Sequence, residues 1–269
     1  MDKLIVKKGL SSLLKTWIKL IAGKVITMCY GSFEFYQIAN IQGYRFSRKR
    51  LNPLQIEEIN GYVAKTLPAY KQELENMDIT KSSQYYSYSK IKKLPARVCN
   101  IGCLYCKADS HFLTIHPNNL VYGLDFGNII EANKDLSNPR LKLFSGYPLE
   151  TLETFKNEKF DYALFTRTAG MININELLSY ISILSPIASN ICFLEPVKLL
   201  TYPKMVLDIN KIEMMKPVKM YSGMYIHNYP KVLENFGYQI VESQVFHKDV
   251  FENILTPDHY FVYVHGRKS

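Results

Sequence analysis

The chain has 269 residues, and 47% of them are hydrophobic, which suits one large α/β domain with an extension or two small domains. This composition excludes a disordered or collagen-like chain, and no run of about 18 uncharged apolar residues predicts a membrane-spanning helix. Three of the five cysteines lie within eight residues, which is not the pattern of a disulfide framework. We therefore expect a protein of the reducing cytoplasm.

The positive charge is concentrated near the N-terminus. Residues 1–50 contain ten basic side chains and two acidic ones, whereas the rest of the chain is almost neutral. A nearly neutral body argues against a role in nucleic-acid binding. Apolar residues from Leu10 to Val25 recur at helical spacing beside lysines, which predicts a basic amphipathic helix. Residues 1–28 would either lie peripherally on an anionic membrane or pack on the protein's own domain with the lysines in water.

Helices and strands alternate through most of the chain. A helix is predicted from Asn52 and Pro53 to about Met77. From Ala96 onward, short β-rich runs alternate with helical patterns. The predicted strands are 96–101, 120–124, 140–144, 162–165 and 190–194, and the helices between them lie near 106–116, 128–137, 149–157 and 174–185. This alternation is typical of parallel strands joined by helical crossovers, and hence of a doubly wound α/β sheet.

The end of the chain breaks this alternation. A helix near 229–236 leads through Gly237 into two strands, 238–246 and 259–266, with no helix between them. Strands connected in this way pair antiparallel. The sequence therefore predicts a helical extension or cap over residues 1–90. Residues 91–269 are predicted to form a Rossmann-like, mostly parallel sheet domain with an antiparallel C-terminal strand pair.

Candidate binding residues follow the predicted strands, because open parallel sheets bind ligands beyond their carboxyl ends. The first strand ends in Asn100-Ile101-Gly102-Cys103, where glycine lets the backbone approach a ligand closely. The second ends in Asp125-Phe126, whose carboxylate suits the vicinal diol of a ribose. The third runs into Gly146-Tyr147 and the fourth into Phe165-Thr166.

Taken together, residues 96–268 resemble the class I S-adenosylmethionine-dependent methyltransferases. Arg97–Cys103 resembles the first motif of that family, Val121–Phe126 the second and Lys159–Phe165 the fourth. The resemblance implies S-adenosylmethionine as cofactor and methyl transfer to a hydroxyl of a small-molecule or glycan-like acceptor. It implies that the cofactor is bound by Asn100, Gly102, Cys103, Asp125, Phe126, Gly146, Tyr147, Phe165 and Thr166. Within this set, Asp125 takes the ribose, and Gly146 and Tyr147 take the adenine. The sequence offers no convincing set of metal ligands outside the cysteine triplet, so no catalytic metal is expected.

Two positions depart from the family pattern. Leu104 and Cys106 stand where the first loop of the family usually repeats glycine, so a catalytically silent member that no longer admits cofactor is an alternative. His227 lies in a region that often faces the acceptor in this family, and its imidazole is the candidate general base. The other interpretation of His227 is a packed or hydrogen-bonded side chain.

The cysteines allow a rival interpretation. Cys99, Cys103 and Cys106 have a Cys-x3-Cys-x2-Cys spacing, which resembles the motif that holds a [4Fe–4S] cluster in radical S-adenosylmethionine enzymes. Against this, the triplet begins inside a predicted strand, and the terminal antiparallel strands have no place in a partial barrel. The same residues also suit a third interpretation, in which they are small buried hydrophobic side chains.

Overall fold

The computed structural model describes residues 53–136, 138–197, 209–215, 218–219, 225–251 and 260–268, and the backbone of Glu34–Tyr36 and Tyr44–Phe46. The amphipathic helix and membrane contact predicted for residues 1–28 lie outside this part of the chain. Within it, no helix has the length and apolar character needed to cross a membrane.

Eleven strands and seven α-helices are found in the described residues. The strands are β1 (Glu34–Tyr36), β2 (Tyr44–Phe46), β3 (Arg97–Ile101), β4 (Leu120–Asp125), β5 (Leu141–Ser145), β6 (Phe160–Thr166), β7 (Ala188–Val197), β8 (Val218–Lys219), β9 (Tyr225–Ile226), β10 (Tyr238–His247) and β11 (Tyr260–Lys268). The helices are α1 (Pro53–Glu75), α2 (Ser83–Ser89), α3 (Lys107–Ile115), α4 (Ile129–Ala132), α5 (Pro148–Glu153), α6 (Ile174–Leu184) and α7 (Tyr229–Asn235).

Seven of the strands form one sheet in the order β10-β11-β7-β6-β3-β4-β5. Within the group β3 to β7, every pair of neighbouring strands is parallel. Strand β11 runs antiparallel to both β7 and β10. The prediction of a doubly wound, mostly parallel sheet with an antiparallel C-terminal pair is thus confirmed. Because β3 to β7 point the same way, the loops after them meet at one edge of the sheet.

Both faces of the central strands are buried, as expected for parallel strands covered by helices on each side. Along β3, Cys99 and Ile101 face one apolar cluster, whereas Val98 faces the other. Helices α5, α6 and α7 pack on the first face, and α2 and α3 pack on the second. The sheet is therefore a rigid base for the loops at its carboxyl edge.

Helix α1 packs against this domain. The N–H of Gly127 donates to the side-chain oxygen of Asn60 at 2.6 Å, and the Lys71 ammonium contacts Asp135 at 2.8 Å. Two buried α1 residues, Ile59 and Val63, belong to the same apolar cluster as the central strands. The predicted division of the chain at residue 90 stays a prediction, but α1 is in contact with the sheet domain.

Helix α4 is shorter than the helix predicted near 128–137, and the side chain of Asn133 explains where it ends. The side-chain amide nitrogen of Asn133 donates to the carbonyls of Ile129 and Leu104, at 2.8 and 3.0 Å. Its amide oxygen accepts the N–H of Cys106 at 2.7 Å. Asn133 therefore terminates α4 and also ties it to the loop after β3.

Gly102, directly after β3, should tolerate no side chain. Its φ of 77° is left-handed, and an added Cβ would lie 2.1 Å from Oγ1 and 2.8 Å from Cβ of Thr168. Gly237 has a φ of 80°, but an added Cβ there meets nothing within 4 Å. We expect Gly102→Ala to lower the free energy of unfolding by about 1 to 3 kcal/mol more than Gly237→Ala does, because it adds a clash to the same backbone strain.

Urea denaturation of the two variants and the wild type measures this difference. Equal losses of stability in the two variants would show that Thr168 moves aside easily.

Candidate functional site

A cavity of about 290 Å³ lies at the carboxyl edge of the sheet, near the lower end of the size range of small-molecule sites. One wall is helix α1, which contributes Ile59, Tyr62, Val63, Thr66 and Tyr70. The opposite wall is built from the loops after β3, β4 and β6 and from α6. Helix α1 therefore covers the edge where the strand-end residues meet.

The loop after β3 is held in a glycine-like conformation at Leu104. Leu104 has a φ of 49°, in the left-handed region that glycine favours, and its N–H donates to Oδ2 of Asp125 at 2.7 Å. The side chain of Leu104 lines the cavity. The other departure, Cys106, is fully buried in a different cluster with Cys103 and Ile129, and it does not line the cavity. Only Leu104 therefore takes up room in the site.

Asp125 ends β4 with its carboxylate at the cavity. Besides the Leu104 N–H, it accepts the N–H of Phe126 on Oδ1 at 2.7 Å. Burial raises the pKa of Asp125 to about 7, and these two backbone donors act in the opposite direction. A carboxylate offers roughly four lone-pair sites, so two hydroxyl hydrogens can still be accepted.

The predicted adenine residues lie beside Asp125. The ring of Phe126 lines the cavity and stacks on Tyr147, with centroids 5.5 Å apart and planes at 21°. Tyr147 is buried, and its hydroxyl donates to Glu176 of α6 at 2.6 Å. Gly146 has a φ of 131°, and its N–H donates to the Asp125 carbonyl at 3.0 Å. Phe126 therefore lines the cavity, whereas Gly146 and Tyr147, the residues predicted to take the adenine, do not.

The loop after β6 is held by a buried carboxylate. Glu195 of β7 accepts the N–H groups of Thr168, Ala169 and Gly170, at 3.0, 2.7 and 3.1 Å. Burial raises the pKa of Glu195 to about 7 against these three donors. Thr166, Arg167 and Thr168 all line the cavity. The carboxylate of Glu195 thus caps the loop and does not line the site.

Besides Gly146 and Tyr147, three of the predicted cofactor residues lie away from the cavity. Asn100 is buried, and its amide donates to Asp109 of α3 at 2.8 Å. Phe165 is fully buried and stacks on Phe193 with centroids 5.0 Å apart. Cys103 packs in the cluster with Cys106. Gly102, Asp125, Phe126 and Thr166 are the predicted residues that the fold brings together at the cavity.

His227 also lies outside the cavity lining. It is fully buried, and Nε2 lies 2.9 Å from the carbonyl oxygen of Ile172 and 3.2 Å from that of Ala169. Nε2 must therefore carry the proton, while Nδ1 is buried with no hydrogen-bond partner among the described residues. Burial lowers the pKa of His227 to about 4. The general-base role stays a prediction that no contact with the cavity supports.

The cluster interpretation of the cysteines disagrees with the fold. An open seven-stranded sheet with β11 between β7 and β10 is not a partial barrel. Cys99 lies on the face of β3 that carries the main apolar cluster, whereas Cys103 and Cys106 belong to a separate one. Burial raises the pKa of all three thiols, to about 11 at Cys103. They are buried packing residues, as the third interpretation held.

Sequence reasoning missed the contribution of α1 and of two charged residues. Tyr62 and Tyr70 belong to a helix whose spacing predicted only an apolar side, and nothing local indicated that this helix covers the strand ends. Arg167 follows a predicted strand end and was recognisable by position. Glu176, three residues after the helix cap Asn173, matches a helix-start pattern and gave no functional signal.

Comparisons with known proteins agree with the architecture. No protein-family model matches the chain, and no curated protein does. Among solved structures, a mitomycin 7-O-methyltransferase matches 80% of this chain with a TM-score of 0.53 and 11% identity. This chain spans 60% of the length of that protein. A second match is a 1,6-didemethyltoxoflavin-N1-methyltransferase of Burkholderia thailandensis, solved with bound 1,6-didemethyltoxoflavin and S-adenosylhomocysteine. The match covers 89% of this chain and 96% of that protein's chain, with a TM-score of 0.56 and 10% identity. The chain therefore has the fold of the class I methyltransferases.

Proposed function

We propose that this protein is an S-adenosylmethionine-dependent methyltransferase that methylates a hydroxyl group of a small-molecule acceptor. One observation carries the proposal. The Asp125 carboxylate and the left-handed loop at Leu104, joined by a 2.7 Å hydrogen bond, line the same cavity at the carboxyl edge of the sheet. The fold and the two methyltransferase structures that share it support the assignment.

The residues present fit this cofactor. Asp125 is buried with two lone-pair sites left for a diol, and Phe126 offers an apolar ring beside it. Gly102 lines the cavity with no side chain, and Thr168 fills the space where its Cβ would stand. The side chain of Leu104 is the one feature that reduces the space for the amino-acid part.

The chemistry expected of the site is mainly positional. When bound, S-adenosylmethionine supplies a methyl group on a sulfonium for in-line transfer to an acceptor oxygen. The loop after β6, held by Glu195, sets the position of Thr166 and Arg167 beside the cavity. Helix α1 forms one wall of the cavity. Holding two reactants in a productive geometry accounts for a large part of the acceleration of such a reaction.

The acceptor is proposed to be small. The cavity is about 290 Å³, and α1 forms one of its walls, so a large polymer has little access. The exposed surface of the lining is mainly apolar, as in sites for small organic molecules.

Asp125 should make cofactor binding depend on pH. Because burial raises the pKa of Asp125 to about 7, the fraction of ionised carboxylate rises between pH 6 and 8. The ionised form accepts the diol hydrogens, so we expect the wild-type affinity for S-adenosylhomocysteine to rise about tenfold over this range. Asp125→Asn should bind more weakly and with little dependence on pH. Calorimetric titration at three pH values measures both, and equal pH profiles would contradict the role of Asp125.

Leu104 decides between an active and a silent protein. Leu104→Gly should raise the affinity for S-adenosylhomocysteine several-fold, because it removes a side chain from the cavity and relieves a left-handed φ of 49°. Cys106→Ala is the matched control, since Cys106 stands at the next family glycine position but is buried away from the cavity. If neither the wild type nor Leu104→Gly binds the compound in calorimetry, the methyltransferase proposal fails.

His227 is proposed to position the loop after β6 through the Ala169 and Ile172 carbonyls. Its pKa falls to about 4 in the fold, below the ordinary 6.5, so its neutral form stabilises the protein above pH 6.5. That contribution, up to about 3 kcal/mol, is lost as the pH falls towards 4. We therefore expect the stability difference between wild type and His227→Gln to shrink from pH 7 to pH 4.5 in urea denaturation. A stability difference that stays constant over this range would contradict the positioning role, and loss of the acid limb of the pH–rate profile in His227→Gln would indicate a general base.

A further inference from the structure

Arg167 occupies an unusual backbone position at the cavity. It directly follows β6 with a φ of 59°, a left-handed conformation that residues other than glycine seldom adopt. Its N–H donates to the Leu194 carbonyl at 2.8 Å, and the next residue, Thr168, is held by Glu195. The surroundings thus impose this conformation. Strain of this kind, kept in place by neighbouring bonds, is concentrated at functional sites.

The carboxylates near the cavity already have partners. Asp125 accepts two backbone N–H groups, and Glu195 accepts three. Glu176 accepts the hydroxyl of Tyr147. Arg167, by contrast, has no ion pair and no side-chain hydrogen bond in the part of the chain that the structure describes. It is therefore a positive charge at the cavity with its donors free for a ligand.

Two tyrosines of α1, Tyr62 and Tyr70, lie near the positive charge of Arg167. Burial raises the pKa of Tyr62 and of Tyr70, and the positive charge of Arg167 lowers both. Both tyrosines line the cavity with Arg167. Phenol hydroxyls and a guanidinium are all hydrogen-bond donors, and a guanidinium binds two oxygens of one anion in parallel. The group that these three side chains suit is an anion with several oxygens.

We propose that the acceptor carries a carboxylate or phosphate group, and that Arg167, with Tyr62 and Tyr70, binds it. This inference rests on the proposed function and names the acceptor class for the same site. Arg167 follows β6, whereas Asp125 ends β4, and β3 lies between the two strands. The anion site is therefore separated along the sheet edge from the carboxylate assigned to the ribose. Met171 and Ile172 after β6, with Ile59 of α1, supply apolar lining for the body of a small organic acid.

The test uses pairs of probes in which one member carries an anionic group and the other is neutral. The anionic probes are the hydroxybenzoate isomers and phenyl phosphate, and the neutral partners are the matching hydroxybenzamides and phenol. Binding is measured by calorimetry on the full chain saturated with S-adenosylhomocysteine. The proteins are wild type, Arg167→Gln, Arg167→Lys and the control Arg140→Gln. Arg140 is exposed and lies outside the cavity, so the control removes the same charge elsewhere.

We expect the wild type and Arg140→Gln to prefer at least one anionic probe over its neutral partner about tenfold. Arg167→Gln should abolish that preference, and Arg167→Lys should restore part of it. All four proteins should bind S-adenosylhomocysteine with the same affinity. Tyr62→Phe should weaken the anionic probe by a smaller factor and leave the neutral one unchanged.

Three results would overturn the inference. The first is a wild type that binds S-adenosylhomocysteine and shows no anion preference with any pair. The second is a preference that survives in Arg167→Gln. The third is a loss of S-adenosylhomocysteine affinity in Arg167→Gln with Arg140→Gln unaffected, which would assign Arg167 to the carboxylate of the cofactor. Failure of the wild type to bind S-adenosylhomocysteine at all would instead refute the proposed function.

Discussion

The arrangement of the cavity depends on the buried carboxylate of Glu195. It takes the N–H groups of three successive residues, Thr168 to Gly170, from the loop after β6. A buried carboxylate without such donors would be costly, so the loop and the carboxylate stabilise each other. Because Thr168 then lies against Gly102, the loops after β3 and β6 are held in one arrangement. Both the left-handed Arg167 and the close approach at Gly102 follow from this interaction.

Asp125 combines a structural and a binding role in one side chain. Its hydrogen bond with the Leu104 N–H holds the loop after β3 in the conformation that glycine would adopt there. The remaining lone pairs are those proposed to bind a diol. Burial brings its pKa close to 7, as is common for ionisable groups at functional sites. A loop that lacks the second family glycine can thus keep the backbone geometry of the motif, at the cost of a leucine side chain in the cavity.

Position in the sequence predicted the strand ends better than it predicted which side chains reach the cavity. Gly102, Asp125, Phe126 and Thr166 line it, whereas Asn100, Cys103 and Phe165 are used in packing or in buried hydrogen bonds. Successive side chains of a strand point to opposite faces. Asn100 consequently turns towards Asp109 of α3, although its neighbour Ile101 reaches the cavity. The position of a strand end along the sequence does not show which face of the sheet its last side chains occupy. Which of these side chains reach the cavity therefore stays open at the sequence level.

The sequence by itself determined the alternation of strands and helices, the parallel sheet, the antiparallel ending and the acidic residue at the end of β4. These features follow from local periodicity, turn residues and short connections, which neighbouring residues decide. Only the tertiary structure decided that α1 covers the cavity, that His227 is buried against the Ala169 and Ile172 carbonyls and that Arg167 faces the cavity with its guanidinium unpaired in the described chain. These features depend on contacts between segments far apart in the sequence, and local periodicity does not predict such contacts.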